Sequence, residues 1–127
     1  MRGLGVEITK NIILSAVKEV KILDQNITSI NDLGNNFFLS EENIGKPRDA
    51  SCLPKLKELN TYVNVDIFRE KLEENIENFH VIIITEIVNT KYLFSMSEKC
   101  HNKNVNFIYC LNLGYQVSFF VILETNT

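Results

Sequence analysis

Gly3-Leu4-Gly5 opens an apolar-periodic run, and Asp24 lies 19 residues beyond the second glycine; no other constellation in the chain is better suited to chemistry. Glycine lets a backbone approach a phosphate closely, and the free N–H groups of a helix start attract the anion. An acid about 20 residues further on accepts hydrogen bonds from ribose hydroxyls. The same residues fit a plainer reading, in which the glycines permit tight packing of a turn and Asp24 is a solvated strand end. Cys52, Cys100 and Cys110 are odd in number and widely spaced, without a C-x-x-C pair. Neither a disulfide framework nor a zinc site is suggested, and structural burial is expected. His101 adjoins Cys100 and His80 stands alone, but a Cys–His nucleophile is defined by spatial geometry, which adjacency in sequence does not supply.

The elements that must position these residues can be read from periodicity. Leu4, Ile8, Ile12 and Ala16, widened by Ile13 and Val17, predict an amphipathic helix over 4–17. Val20-Lys21-Ile22-Leu23 reads as the strand that delivers Asp24. Residues 32–42 are mixed, with Phe37-Phe38-Leu39 as an apolar anchor and Ser40-Glu41-Glu42 as a helix start or turn; Ile44 to Pro47 is loop. Cys52, Leu56 and Leu59 keep a helical period over 48–59, although Pro54 predicts a start near Leu53 or a kink. Residues 62–67 alternate as a strand with Val63, Val65 and Ile67 on one face. Residues 72–79 read as a short acidic helix, and Val81-Ile82-Ile83-Ile84 as a strand buried on both faces. A helix over 91–103 and strands over 106–110 and 115–123 complete the chain.

Helices alternating with short buried strands predict an α/β fold, a Rossmann-like doubly wound and mainly parallel sheet flanked by helices. Only Met1 and Arg2 precede the glycines, so the strand that should feed the loop is absent, and in the strand order 3-2-1-4-5 it is the central one. The expectation is a single partial domain over 1–127 lacking its first strand. Of the 127 residues, 13 are Lys or Arg and 16 are Asp or Glu, for a net charge of -3, which excludes a basic nucleic-acid surface. With 45% hydrophobic and 23% charged residues the composition is that of a globular domain, not a disordered one. No apolar stretch approaches the roughly 20 residues of a membrane-spanning helix. The start lacks a secretory h-region, so a cytoplasmic or nuclear location with no nucleic-acid or membrane partner is expected.

Longer runs carry a family likeness. Gly3-Leu4-Gly5-Val6-Glu7-Ile8-Thr9, then Asp24-Gln25, then Phe37-Phe38-Leu39-Ser40-Glu41-Glu42-Asn43-Ile44-Gly45-Lys46 and Leu56-Lys57-Glu58-Leu59-Asn60-Thr61-Tyr62-Val63 closely resemble the ubiquitin-activating enzymes. The likeness is to the first, inactive adenylation half of these ThiF/MoeB-like proteins, and Val81 to Glu86 and Cys100-His101-Asn102 carry it more faintly. The resemblance implies an ATP-dependent enzyme that adenylates the C-terminal carboxylate of ubiquitin or a relative and passes it to a cysteine as a thioester. It implies that ATP and Mg²⁺ belong to the active half of the complete enzyme. For this chain it implies a structural, non-catalytic half that docks on that active half, in the same chain or a partner subunit. No catalytic residue, no metal site and no cofactor of its own are then expected.

Active halves of the family read Asn-Leu-Asn-Arg-Gln where Asp32-Leu33-Gly34-Asn35-Asn36 stands, so Asn35 lacks the charge that neutralises ATP phosphates. Lys46 and Arg48 fall near the family's pair of basic residues, with Arg in place of the second Lys. Gly3, Gly5, Asp24, Lys46 and Arg48 are thereby implied to be the remnant of a nucleotide loop, kept for structure. The family's Mg²⁺-holding Asp falls at Thr85 or Glu86. The likeness starts within the phosphate loop and stops near an inserted domain, so a fragment is expected. Two other readings stay open: an independent Rossmann-type nucleotide- or NAD-binding domain, resting on Gly3, Gly5 and Asp24 alone, and a smaller-subunit homologue of a SUMO-type heterodimeric activating enzyme.

Overall fold

In chain order the elements are α1 (Gly3–Leu14), β1 (Glu19–Ile22), α2 (Ile30–Leu33), α3 (Arg48–Leu59), β2 (Asn64–Ile67), β3 (Val81–Ile84), α4 (Thr90–Asn102), β4 (Asn106–Leu113) and β5 (Gln116–Ile122). The computed structural model describes residues 1–113 and 116–122, so Tyr115 and Leu123, the predicted ends of the last strand, lie outside the described residues. Two units are distinguished, Met1–Arg69 and Glu70–Thr127.

In Met1–Arg69, β1 and β2 pair in parallel, with Val20 opposite Val65 and Ile22 opposite Ile67. Parallel strands cannot be joined by a hairpin, and α3 is part of the crossover. The buried face of α1 runs through Gly5, Val6 and Ile13. The predicted stripe of Leu4, Ile8 and Ile12 is only half-buried and Ala16 is exposed, so the core face is rotated from the one expected. The helix also stops at Leu14, not Val17, because Ala16 adopts a left-handed φ of 62° and the Ser15 hydroxyl bonds the Ile12 carbonyl.

The α3 helix runs from Arg48 with Pro54 inside it, against the expected start near Leu53. A proline at that position deprives the carbonyl of Ala50 of its helical donor. Ala50 and Pro54 both face solvent, so water can replace the lost bond. Cys52 and Leu56 are wholly buried in one cluster with Val63 and Val65; the strand begins at Asn64, so of the predicted 62–67 only the last four residues are β2, and within them Val65 and Ile67 share the inner face.

In Glu70–Thr127, β3 and β4 are parallel, with Ile82 opposite Phe107, and α4 lies between them in sequence. β5 joins β4 antiparallel. Ile82, Met96, Cys100, Val105 and Phe107 form the core. The predicted acidic helix over 72–79 is instead two 3-10 turns, Leu72–Glu74 and Ile76–Asn78. The Asn75 amide donates to the Lys71 carbonyl, and Glu73 and Glu77 would stack like charges one helical turn apart. Burial of β3 on both faces is also corrected: Ile82 is buried but Val81 is 42% exposed. Among the described residues β1 and β3 each have a hydrogen-bonded neighbour on one edge only.

Leu56 is inaccessible to solvent whereas Leu14 is 53% exposed. Leu56→Ala is therefore expected to lower the stability of the chain by about 2–5 kcal/mol, through lost transfer energy and the cavity left behind. Leu14→Ala should change it by no more than about 0.5 kcal/mol. Urea denaturation of both variants checks the contrast.

Candidate functional site

Two loop segments in Met1–Arg69 are zipped antiparallel before α3 begins. Thr28 N–H donates to the Lys46 carbonyl at 2.8 Å, Gly45 N–H to the Thr28 carbonyl at 3.0 Å, and Arg48 N–H to the Asn26 carbonyl at 2.9 Å. Gly45 turns the chain at φ 85°, a left-handed value that costs a side-chain-bearing residue strain. This zip brings the first residues of α3 against Asp24, just past the end of β1.

The carboxylate of Asp24 is 5% exposed and is neither a solvated strand end nor an open acceptor. Arg48 Nε donates to Oδ2 at 2.8 Å and Arg48 Nη2 to Oδ1 at 3.3 Å. Asn26 N–H reaches Oδ1 at 3.1 Å, and the amino group of Met1 bonds Oδ2. Arg48 also extends Nη1 to Asp32 Oδ1 at 3.2 Å. Asp32 in turn caps α2, accepting from the Ser29 N–H at 2.8 Å.

The next residue, Asp49, is wholly buried and ties a second layer. It accepts from the Asp24 N–H at 2.8 Å and from Arg69 Nη1 at 2.5 Å and Nη2 at 2.7 Å. Burial works to raise the pKa of all three carboxyls, and their partners outweigh it. Arg48 and the Met1 amine hold Asp24 below the usual carboxylate value. Ser29 and Arg48 do so for Asp32, and Arg69 with the Asp24 and Ala50 N–H groups for Asp49.

A cleft of ≈ 500 Å³ opens beside this network, lined by Arg2, Asn26, Ile27, Ser29, Asn31, Asp32, Asn35, Asn36 and Arg48. Arg48 lines it and Asp24 does not. Gly3 begins α1 with its backbone against Asn35: a Cβ there would meet the Asn35 carbonyl oxygen at 3.3 Å. Gly5 is buried within α1 and takes the Thr9 hydroxyl on its carbonyl at 2.8 Å. Of the predicted residues only Arg48 lines the cleft; Asp24 sits against Arg48, and Gly3 against Asn35 of the lining. Lys46 does not line it: its side chain is exposed, and what it contributes is the backbone bond to Thr28.

Sequence reasoning passed over Asp49, Arg69 and Asn36. The buried Asn36 amide donates to the Met1 carbonyl at 2.8 Å and to Cys52 Sγ at 3.2 Å, and its oxygen accepts the Phe38 N–H at 2.9 Å. The one available signal was Arg48-Asp49 heading a helix whose companion strand is followed by a third charge, Arg69.

Burial pushes the thiols of Cys52, Cys100 and Cys110 up, away from the reactive thiolate. Cys100 is buried and His101 exposed, so successive helix positions turn the two side chains apart and no nucleophilic pair forms. Among the described residues no group of three or more His, Cys, Asp and Glu side chains could hold a metal ion, and no helix is long and apolar enough to cross a membrane.

The linkage is testable. Each of the three carboxyls has a folded pKa below its unfolded value of about 3.9, so its stabilisation is complete above that pH and is lost as pH falls through the folded value. Arg69→Gln should cost about 1–2 kcal/mol at pH 7, the lower range for a charged hydrogen bond because Arg69 is partly solvated. Its gap from wild type should narrow below about pH 4, as read by urea denaturation across pH.

The chain is similar to known proteins along nearly all of its length. The ThiF family matches residues 1–127. Ubiquitin-activating enzyme E1 1 of Schizosaccharomyces pombe is 39% identical over 119 residues, 94% of this chain and 12% of that protein. Human ubiquitin-like modifier-activating enzyme 1 is 41% identical over 109 residues, 85% of this chain and 10% of that protein. The chain therefore spans about a tenth of the length of the curated relatives it matches. The crystal structure of E. coli MccB superposes with a TM-score of 0.81 at 14% identity, covering 99% of this chain and 37% of that one, which establishes the shared fold. With its α/β architecture and its match from end to end, this chain belongs to the ThiF family, and its similarity within that family is to the ubiquitin-activating enzymes.

Proposed function

We propose that the chain is a structural, non-catalytic adenylation half of a ubiquitin-like-modifier-activating enzyme, which docks on an active half in the cytoplasm or nucleus. The complete enzyme would join the C-terminal carboxylate of the modifier to AMP, releasing pyrophosphate, and then pass the acyl group to a cysteine thiol, releasing AMP. ATP and Mg²⁺ belong to the active half in this reading, and the modifier is the partner of the whole assembly.

The observation that carries the proposal is the engagement of both oxygens of Asp24 by Arg48. A carboxylate that is to receive ribose hydroxyls has to be accessible, and this one is 5% exposed. The residues of this unit fit a nucleoside triphosphate poorly in other respects. Asn35 and Asn36 offer the cleft amides, and of its two cations Arg48 is already committed to two carboxylates, which leaves Arg2 alone to meet phosphate charge. Asp32, the acid that lines the cleft, would repel phosphate.

Two measurements test the proposal. The tagged chain, expressed in its own cells, should recover a protein that catalyses modifier-dependent exchange between pyrophosphate and ATP. The chain alone should show neither that exchange nor saturable ATP binding in calorimetry. Recovery of no adenylating partner would overturn the docking role. Micromolar binding of NAD(H) by the isolated chain would instead favour an independent dinucleotide-binding domain.

A further inference from the structure

We infer that the Arg48 guanidinium is an internal occupant of a sugar-hydroxyl site: it lies on the Asp24 carboxylate where a vicinal diol would bind, and closes the polar cleft to nucleosides. The inference rests on the reading of this half as non-catalytic, and names the device that keeps it so. Nε and Nη2 of Arg48 donate to the two oxygens of Asp24 at 2.8 and 3.3 Å. Two adjacent donors meeting two carboxylate oxygens is also the arrangement that a cis diol presents to an acid.

The position of the guanidinium supports the same conclusion. Arg48 lines the cleft and Asp24, directly behind its fork, does not. Removing the fork is expected to open the carboxylate to the cleft. The amides of Asn26, Asn35 and Asn36 on its wall can hydrogen-bond a nucleoside. A ligand cannot readily displace Arg48, because Nη1 anchors it independently to Asp32 at 3.2 Å. A neutral hydroxyl competes here against charge-assisted bonds of roughly twice the strength.

The test titrates the full chain with adenosine and with 2′,3′-dideoxyadenosine, which lacks both ribose hydroxyls, and follows amide shifts by NMR. Wild type should not distinguish the two. Arg48→Gln should bind adenosine about tenfold more tightly than the dideoxy compound, the effect of one hydrogen bond to a charged group. Adding Asp24→Asn to Arg48→Gln should remove the preference. A folded Arg48→Gln chain without the preference overturns the inference, as does a wild-type chain that discriminates. Should Arg48→Gln not fold, Arg48→Lys, which keeps a cation and loses the fork, is read with the same two ligands: a severalfold preference supports the inference and equal binding overturns it. Failure in the variants leaves partner recovery, and with it the docking role, untouched.

Discussion

Three carboxylates buried or half-buried next to one another demand cations, and that demand organises the Met1–Arg69 unit. The effective desolvation penalty of an ion is several kcal/mol, recovered only with a close, well-bonded partner. Arg48 serves Asp24 and Asp32, Arg69 serves Asp49, and the Met1 amine adds to Asp24. Because Arg48 and Asp49 are consecutive, one helix end presents a cation to Asp24 and Asp32 and an anion to Arg69. That double commitment fixes where α3 starts relative to β1 and to the segment after β2. An apolar cluster of equal volume would stabilise as well, but it would not fix position so specifically.

The same network decides what the cleft can do. Arg48 and Asp32 are spent on each other, Arg2 lies on the same lining, and the rest of the wall is rich in asparagine amides, which recognise shape and hydrogen-bonding pattern. On the surface of the unit Phe37 is 90% and Ile30 is 72% exposed.

The architecture was legible in the sequence because apolar period survives in most elements: β2 alternates as written over Asn64–Ile67, α4 and β4 fall where their runs place them, and the crossover order yields parallel pairing. Legibility failed where a local preference met a tertiary or side-chain competitor. Pro54 argued for a late helix start, but the ion pairs of Arg48 and Asp49 hold the earlier turn in place. Residues 72–79 kept a helical composition while the Asn75 side chain competed for the backbone. At the site, Asp24 and Arg48 were both visible as chemistry-bearing residues, and their mutual contact was not, since spacing along a chain carries no information on which opposite charges meet. Lys46 and Arg48 were read together as a basic pair, and the structure separates them: Lys46 faces solvent and Arg48 is buried. Asp49 and Arg69 were passed over because charges flanking elements are ordinarily solvated.

The buried thiols have a consequence for how the fold can be watched. Cys52 is sealed in Met1–Arg69 under the Asn36 amide, and Cys100 and Cys110 are sealed in Glu70–Thr127. A buried protonated sulfur does not react with alkylating reagents until its surroundings open. Each unit therefore carries its own native clock: the labelling rate of Cys52 reports the opening free energy of one, and that of Cys100 reports the other. A change that loosens the carboxylate network would accelerate the first clock, and the response of the second would count how far the opening is shared.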